Sequence, residues 1–216
     1  MKKIFLFISF LPLFTFAQSK PVDDWHLRKD EKGIKVYTRH VDGVEIDQLK
    51  VVSVMHASLS SIAAVIMDVN HYPEWIYACK EGKLLQQVSP TEQYQYQRMA
   101  APYPFSDRDA AIHFTISQDP KSKVISTHSL AVPDYVPDKK DIVRLPVFDG
   151  SYQLTPLSGG DVQVIYMLQI DPGGYIPSWL VNATIITGPL ESTIRMQKQV
   201  EKAEYQDRKL AFIQEP

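Results

Sequence analysis

Residues 162–182 read VQVIYMLQIDPGGYIPSWLVN, and the change of period inside this stretch decides the fold. Val162, Val164, Tyr166, Leu168 and Ile170 alternate with their neighbours and form one face of a strand, opened by the turn signal Ser158-Gly159-Gly160. The alternation ends at Asp171-Pro172-Gly173-Gly174. Pro177 then suits a first helical turn, and Trp179, Ala183, Ile186, Leu190, Ile194 and Gln197 form a stripe at helical spacing running to about Ala203. The first half of this helix is apolar almost all round (Trp179, Leu180, Val181, Ile185, Ile186), so it must be covered on more than one side. Glu191, Arg195, Lys198 and Lys202 leave the second half one-sided. Gly188-Pro189 is expected to break or kink it near the middle. At about 1.5 Å per residue the element spans about 40 Å, enough to lie across the concave face of a sheet.

Working outward, the chain alternates at period two nearly everywhere. Strands are expected at Gly33–Arg39, Ile46–His56, Lys83–Val88, across Gln93–Arg98, from Arg108 through Ile116, at Lys123–Leu130, at Gly150–Thr155 and in the stretch quoted above. Short turns join most of them, which argues for an antiparallel sheet. A further helix is read at Ser58–Val69, where Leu59, Ile62, Ala63, Ile66 and Met67 follow a Ser cap. The class is α+β, a sheet closed by a long C-terminal helix.

The chain has 216 residues, 44% hydrophobic and 22% charged, the balance of an ordinary globular domain. Lys and Arg total 23 against 25 Asp and Glu, so no cationic field exists to hold a polyanion and no nucleic-acid partner is expected. The first 17 residues, MKKIFLFISFLPLFTFA, set Lys2 and Lys3 before an apolar run from Ile4 to Phe16, with Thr15 and Ala17 at the small positions of a cleavage site. That is the layout of a signal peptide. Pro12 interrupts the run, and spanning hydrocarbon needs about 20 apolar residues, so an uncleaved anchor fits less well. The expected division is therefore 1–17 as leader and 18–216 as a single domain, exported to a bacterial periplasm or secreted.

Catalytic signatures are sparse in this sequence. There is no Gly-x-Ser-x-Gly elbow, phosphate loop or dinucleotide glycine fingerprint, and the histidines show no metal-binding spacing. Cys79, the one cysteine, reads as a small core hydrophobe. No cofactor and no metal are expected. Asp107-Arg108-Asp109 is the densest charge cluster. Two carboxylates beside a guanidinium could do acid–base work, but the better reading is an arginine tying the strand start to the preceding Tyr103-Pro104 turn. Arg98 shares strand parity with Tyr94 and Tyr96, and two readings of it stay open: an interior charge that meets a ligand, or a side chain at the rim.

Pro102-Tyr103-Pro104-Phe105-Ser106-Asp107-Arg108-Asp109 resembles the proline-then-Arg-Asp signature of START domains, the lipid-transfer domains related to steroidogenic acute regulatory protein. Asp171 to Asn182 resembles the segment leading into their C-terminal helix. GIKVYTR at 33–39, Tyr72-Pro73-Glu74-Trp75 and Val143-Arg144 occur in the family's order. The resemblance covers about residues 24–203. It implies a helix-grip fold, a curved antiparallel sheet wrapped around a long C-terminal helix, with an apolar cavity that binds one lipid or other hydrophobic molecule without chemistry. Transient membrane contact would follow. The arginine that some sterol binders carry six residues after the Arg-Asp arginine falls on Phe114, implying a more uniformly apolar pocket. Two rival functions remain: a helix-grip enzyme of the polyketide cyclase type, using Tyr94, Tyr96, Arg98 and His128, and a protein-interaction module.

Strand parity sends Tyr94, Tyr96 and Arg98, then Ala110, Ile112 and Phe114, then Val164, Tyr166 and Leu168 towards one concave face. The helix is expected to oppose them with Trp179, Leu180, Ala183, Thr187 and Leu190. These residues are the candidate ligand-binding set, with Arg98 as polar anchor for an anionic head group.

Overall fold

The computed structural model describes residues 24–216, apart from the side chains of Ala183 and Thr184. The expected leader at 1–17 lies outside the described residues. The strands are β1 (His26–Glu31), β2 (Ile34–Val41), β3 (Val44–His56), β4 (Cys79–Ser89), β5 (Glu92–Met99), β6 (Asp107–Gln118), β7 (Ile125–Ala131), β8 (Ile142–Arg144), β9 (Val147–Pro156) and β10 (Asp161–Asp171). They form one sheet in the order β1-β2-β3-β10-β9-β7-β6-β5-β4, with β8 added beside β6. All pairings are antiparallel except β6 with β8. Eight of the ten coincide with expected strands. The other two carry no readable alternation: β1 is charged and exposed along nearly its whole length, and β8 is three residues long.

Four helices cover the sheet's inner face: α1 (Leu59–Met67), α2 (Tyr72–Trp75), α3 (Ser178–Thr184) and α4 (Thr187–Gln199). α1 starts where expected, because the Ser58 hydroxyl accepts from the Ser61 N–H at 3.0 Å, a cap worth about 1 kcal/mol. The Glu215 carboxylate adds two bonds from the N–H groups of Leu59 (3.0 Å) and Ser60 (2.9 Å), so the C-terminal tail fastens the same helix end. From Leu59 to Ile66 the helix is buried on every side. β4 crosses the 69–71 turn so closely that a Cβ on Gly82 would fall 2.0 Å from the Val69 carbonyl oxygen; only glycine fits there.

The terminal helix is kinked where Gly188-Pro189 led us to expect it. α3 ends at Thr184 and α4 begins at Thr187, while Ile185 and Ile186 keep right-handed helical dihedrals through the junction. Pro189 cannot donate to the Ile185 carbonyl, and its ring crowds that group. Pro189 thus falls within the first turn of α4, where a missing N–H costs nothing.

Candidate functional site

Cross-strand partners share a face of the sheet, so the register decides which side chains meet the helices. On β5 and β6 the pairs are Gln93 with Phe114, Gln95 with Ile112 and Gln97 with Ala110. On β9 and β10 they are Leu154 with Val164, Tyr152 with Tyr166, Gly150 with Leu168 and Phe148 with Ile170. Across β3, Val164 meets Ser53, Tyr166 meets Val51 and Leu168 meets Leu49. These rows form the concave face. Ala110, Ile112, Phe114, Val164, Tyr166 and Leu168 of the expected set are therefore brought together, and Leu190 of α4 packs with Ile34, Val36, Leu49 and Val51.

Tyr94, Tyr96 and Arg98 are not among them. The register pairs them with His113, Ala111 and Asp109 on the opposite face. Period-two alternation shows that the glutamines and tyrosines of β5 point opposite ways but not which row is inside, and hydropathy favoured the tyrosines. The segment 132–141 reverses that choice by covering the outer face. Tyr94 stacks on Tyr135 (ring centroids 4.1 Å apart, planes 3° apart) and on His113. The Lys139 ammonium sits 3.9 Å from the Tyr96 ring centre, and the Tyr96 hydroxyl donates to Asp109 at 3.0 Å. Arg98 lies 3.8 Å from a Glu81 carboxylate oxygen and 4.0 Å from one of Asp107, a rim position. The helix positions also change: Trp179 is 70% exposed, Thr187 is exposed and Leu180 is half-buried. The side chain of Ala183 lies outside the described residues.

The Asp-Arg-Asp cluster is structural. Arg108 donates to the carbonyls of Ser106, Pro172 (3.3 Å) and Gly173 (3.4 Å), tying the 102–106 loop to the 171–174 turn, and burial pushes its pKa down. Asp109, fully buried, takes two bonds from Arg144 (2.7 and 3.2 Å), which raise the arginine's pKa. Arg144 also donates to the carbonyls of Pro133, Val136 and Pro137, so this pair fastens the segment that covers Tyr94 and Tyr96. Cys79 is buried, and burial pushes its thiol up to about 11, as suits a core residue.

The buried apolar side chains fall into three clusters, where a domain of this size usually has one contiguous core. Packed against the edges of these clusters are Phe148, Tyr152, Tyr166, Leu168 and Ile170 on the sheet, with Val181 and Ile186 on the helix. All are only partly buried although they occupy the inner side. Helix and sheet therefore meet along this row through side chains that keep part of their surface accessible. Tyr152 and Tyr166 stack there with centroids 4.5 Å apart. Gly150 makes room for them: a Cβ would lie 2.9 Å from the Phe148 ring and 3.6 Å from the Tyr166 hydroxyl. Two surface clefts, of about 350 and 310 Å³, lie at the far end against the C-terminal tail and reach neither tyrosine.

Polar groups also face the interior, and sequence reading missed them. The Tyr72 hydroxyl donates to the Ile66 carbonyl at 2.6 Å, and Gln95 Oε1 lies 3.3 Å from the same hydroxyl. Gln95 Nε2, Ser53 Oγ and Trp75 Nε1 have no protein partner. Burial pushes the phenols of Tyr72, Tyr152 and Tyr166 up, so all three stay protonated. A glutamine row opposite an apolar strand is a usable signal once the register is known.

The apolar end of the helix is latched by Asn182. Its side-chain oxygen accepts from the Asp47 N–H and its amide donates to the Glu45 carbonyl, both at 3.1 Å. α4 is held separately, the Tyr77 N–H donating to Ser192 Oγ at 2.9 Å and Gln199 to Glu74 at 3.2 Å.

Comparison with known proteins agrees with this architecture. The START domain family model matches residues 20–204. An uncharacterised protein of Pseudomonas aeruginosa is 35% identical over 190 residues, 88% of this chain and 93% of its own. Rat phosphatidylcholine transfer protein is 27% identical over 166 residues, 74% of this chain and 75% of its own. The crystal structure of a STAR-related lipid transfer protein fragment from Xanthomonas axonopodis superposes with a TM-score of 0.78 at 34% identity, covering 83% of this chain and all of that one.

Proposed function

The chain belongs to the START domain family, and from that premise we propose that it binds one lipid, without chemistry, between the concave sheet and the kinked helix. The observation that carries this reading is the inner-face row Phe148, Tyr152, Tyr166, Leu168 and Ile170, which lies on the concave side between the core clusters and helix residues Val181 and Ile186 yet stays only partly buried. An acyl chain laid along such a row would contribute about 0.8 kcal/mol per buried methylene. The interior polar groups are phenols held protonated, an amide, an indole and a hydroxyl, which hold a ligand in place more readily than they cleave or form bonds. Native mass spectrometry of protein purified from its own host tests the reading. One lipid per chain is expected, and a chain that arrives empty and accepts no lipid from vesicles refutes it.

Loading and release would take place at a membrane, after export and removal of residues 1–17. Tyr103 is 98%, Tyr175 99% and Trp179 70% exposed. They stand on the two loops that Arg108 ties together and on the first turn of α3. Aromatic rings of this kind favour the lipid–water interface. Replacing all three by Ala should weaken sedimentation with vesicles, and intact-mass measurement on exported protein should show a chain starting at Gln18.

A further inference from the structure

Resting on the lipid-binding reading, we propose that the occupant is a neutral lipid whose inner end is an uncharged hydroxyl, carbonyl or ester, held by Tyr152, Tyr166, Gln95 and Ser53. Gln95 and Ser53 are 1% and 2% exposed, stand on the concave rows and carry polar atoms with no protein partner. Tyr152 stacks on Tyr166 with ring centroids 4.5 Å apart, Ser53 lies diagonally across from Tyr166 on the paired strands, and the Tyr72 hydroxyl is 3.3 Å from Gln95 Oε1. Trp75, edge-on to Tyr72 with ring centroids 5.3 Å apart, adds an unpartnered N–H at the same end.

Three occupants can be compared. Hydrocarbon filling this end would leave buried donors and acceptors unpaired, which is unfavourable for every one of them. A phosphate or a quaternary ammonium would need a compensating charge. Among the described residues the charged side chain on the inner rows is Arg108, at the strand opening and already engaged by three backbone carbonyls. Arg98, which could have met an anionic head, is on the other face. A hydroxyl or ester satisfies phenol, amide and serine hydroxyl at once and brings no charge. Of the three, the neutral lipid offers these groups partners without adding a charge.

The test holds the chains constant and varies the head. Full-length processed protein is incubated with vesicles containing equal amounts of dioleoylglycerol and dioleoylphosphatidylcholine, then re-isolated and weighed by native mass spectrometry. At least tenfold more dioleoylglycerol complex is expected. Tyr152→Phe with Tyr166→Phe, and separately Gln95→Leu, should each move that ratio several-fold towards unity, with thermal melts showing that each variant is folded. Equal or preferential loading of phosphatidylcholine overturns the neutral-head inference while leaving lipid binding intact, as does a ratio that neither variant moves. Loading of neither lipid overturns both readings.

Discussion

Asn182→Ala should release the apolar end of the helix without touching the rest of the fold. The side chain supplies two hydrogen bonds to the start of β3, at the Asp47 N–H and the Glu45 carbonyl. At about 0.5–1.5 kcal/mol net for each bond, their loss weakens the docking of α3 by about 1–3 kcal/mol. That range multiplies the open population roughly 5- to 150-fold. α4 keeps its own anchors at Ser192 and Gln199 and should not follow, because the kink at Pro189 interrupts the hydrogen-bond ladder between the two helices. Native-state hydrogen exchange reads both. The Ile185 N–H, which donates to the Val181 carbonyl at 2.8 Å, reports on α3; the Val200 N–H, which donates to Met196 at 3.0 Å, reports on α4. The first should accelerate by the calculated factor and the second should stay within twofold of wild type. Unchanged exchange at Ile185 would refute the latch, and equal acceleration at both would refute the independence of the two helices.

Three further outcomes are expected. Leu168→Trp, on the half-open inner row opposite Leu49, should block lipid loading with the melting transition retained; undiminished loading would put the cavity elsewhere. Asp109→Asn breaks a buried pair with Arg144 and the acceptor of Tyr96, and should cost about 3–5 kcal/mol in urea unfolding, whereas Arg98→Ala at the rim should cost under about 1 kcal/mol; comparable losses would mean that the Asp109 network is not what fastens the 132–141 segment. His71 is raised above 6.5 chiefly by its 2.8 Å bond to Asp68. Its stabilisation is therefore complete below about pH 6.5 and fades as pH rises through the folded value. NMR titration should find the imidazole pKa above 6.5, and His71→Gln should flatten the slope of stability over that interval.

What the sequence by itself determined is local. The period-two rows, the Ser58 cap, the kink at Gly188-Pro189 and the tie from Arg108 to the preceding loop all follow from dihedral preferences and hydrogen bonds within a few residues, whereas the reach of Arg108 to Pro172 and Gly173 is tertiary. The family motifs carried the rest of the architecture, down to the order of its elements. Tertiary structure decided which row of a strand faces in. On β5 the tyrosine row, the more apolar of the two, lost the interior because Tyr135, Lys139 and the Asp109–Arg144 pair cover it from outside. The glutamine row took the inner face opposite Phe114 and Ile112. Two strands without alternation, β1 and β8, likewise exist only through their partners. Face selection is a competition between coverings supplied by distant segments, and a period of two is identical for either winner. The polar groups on the inner face of β5 arise from that competition, which is why they could be found only after the register was known.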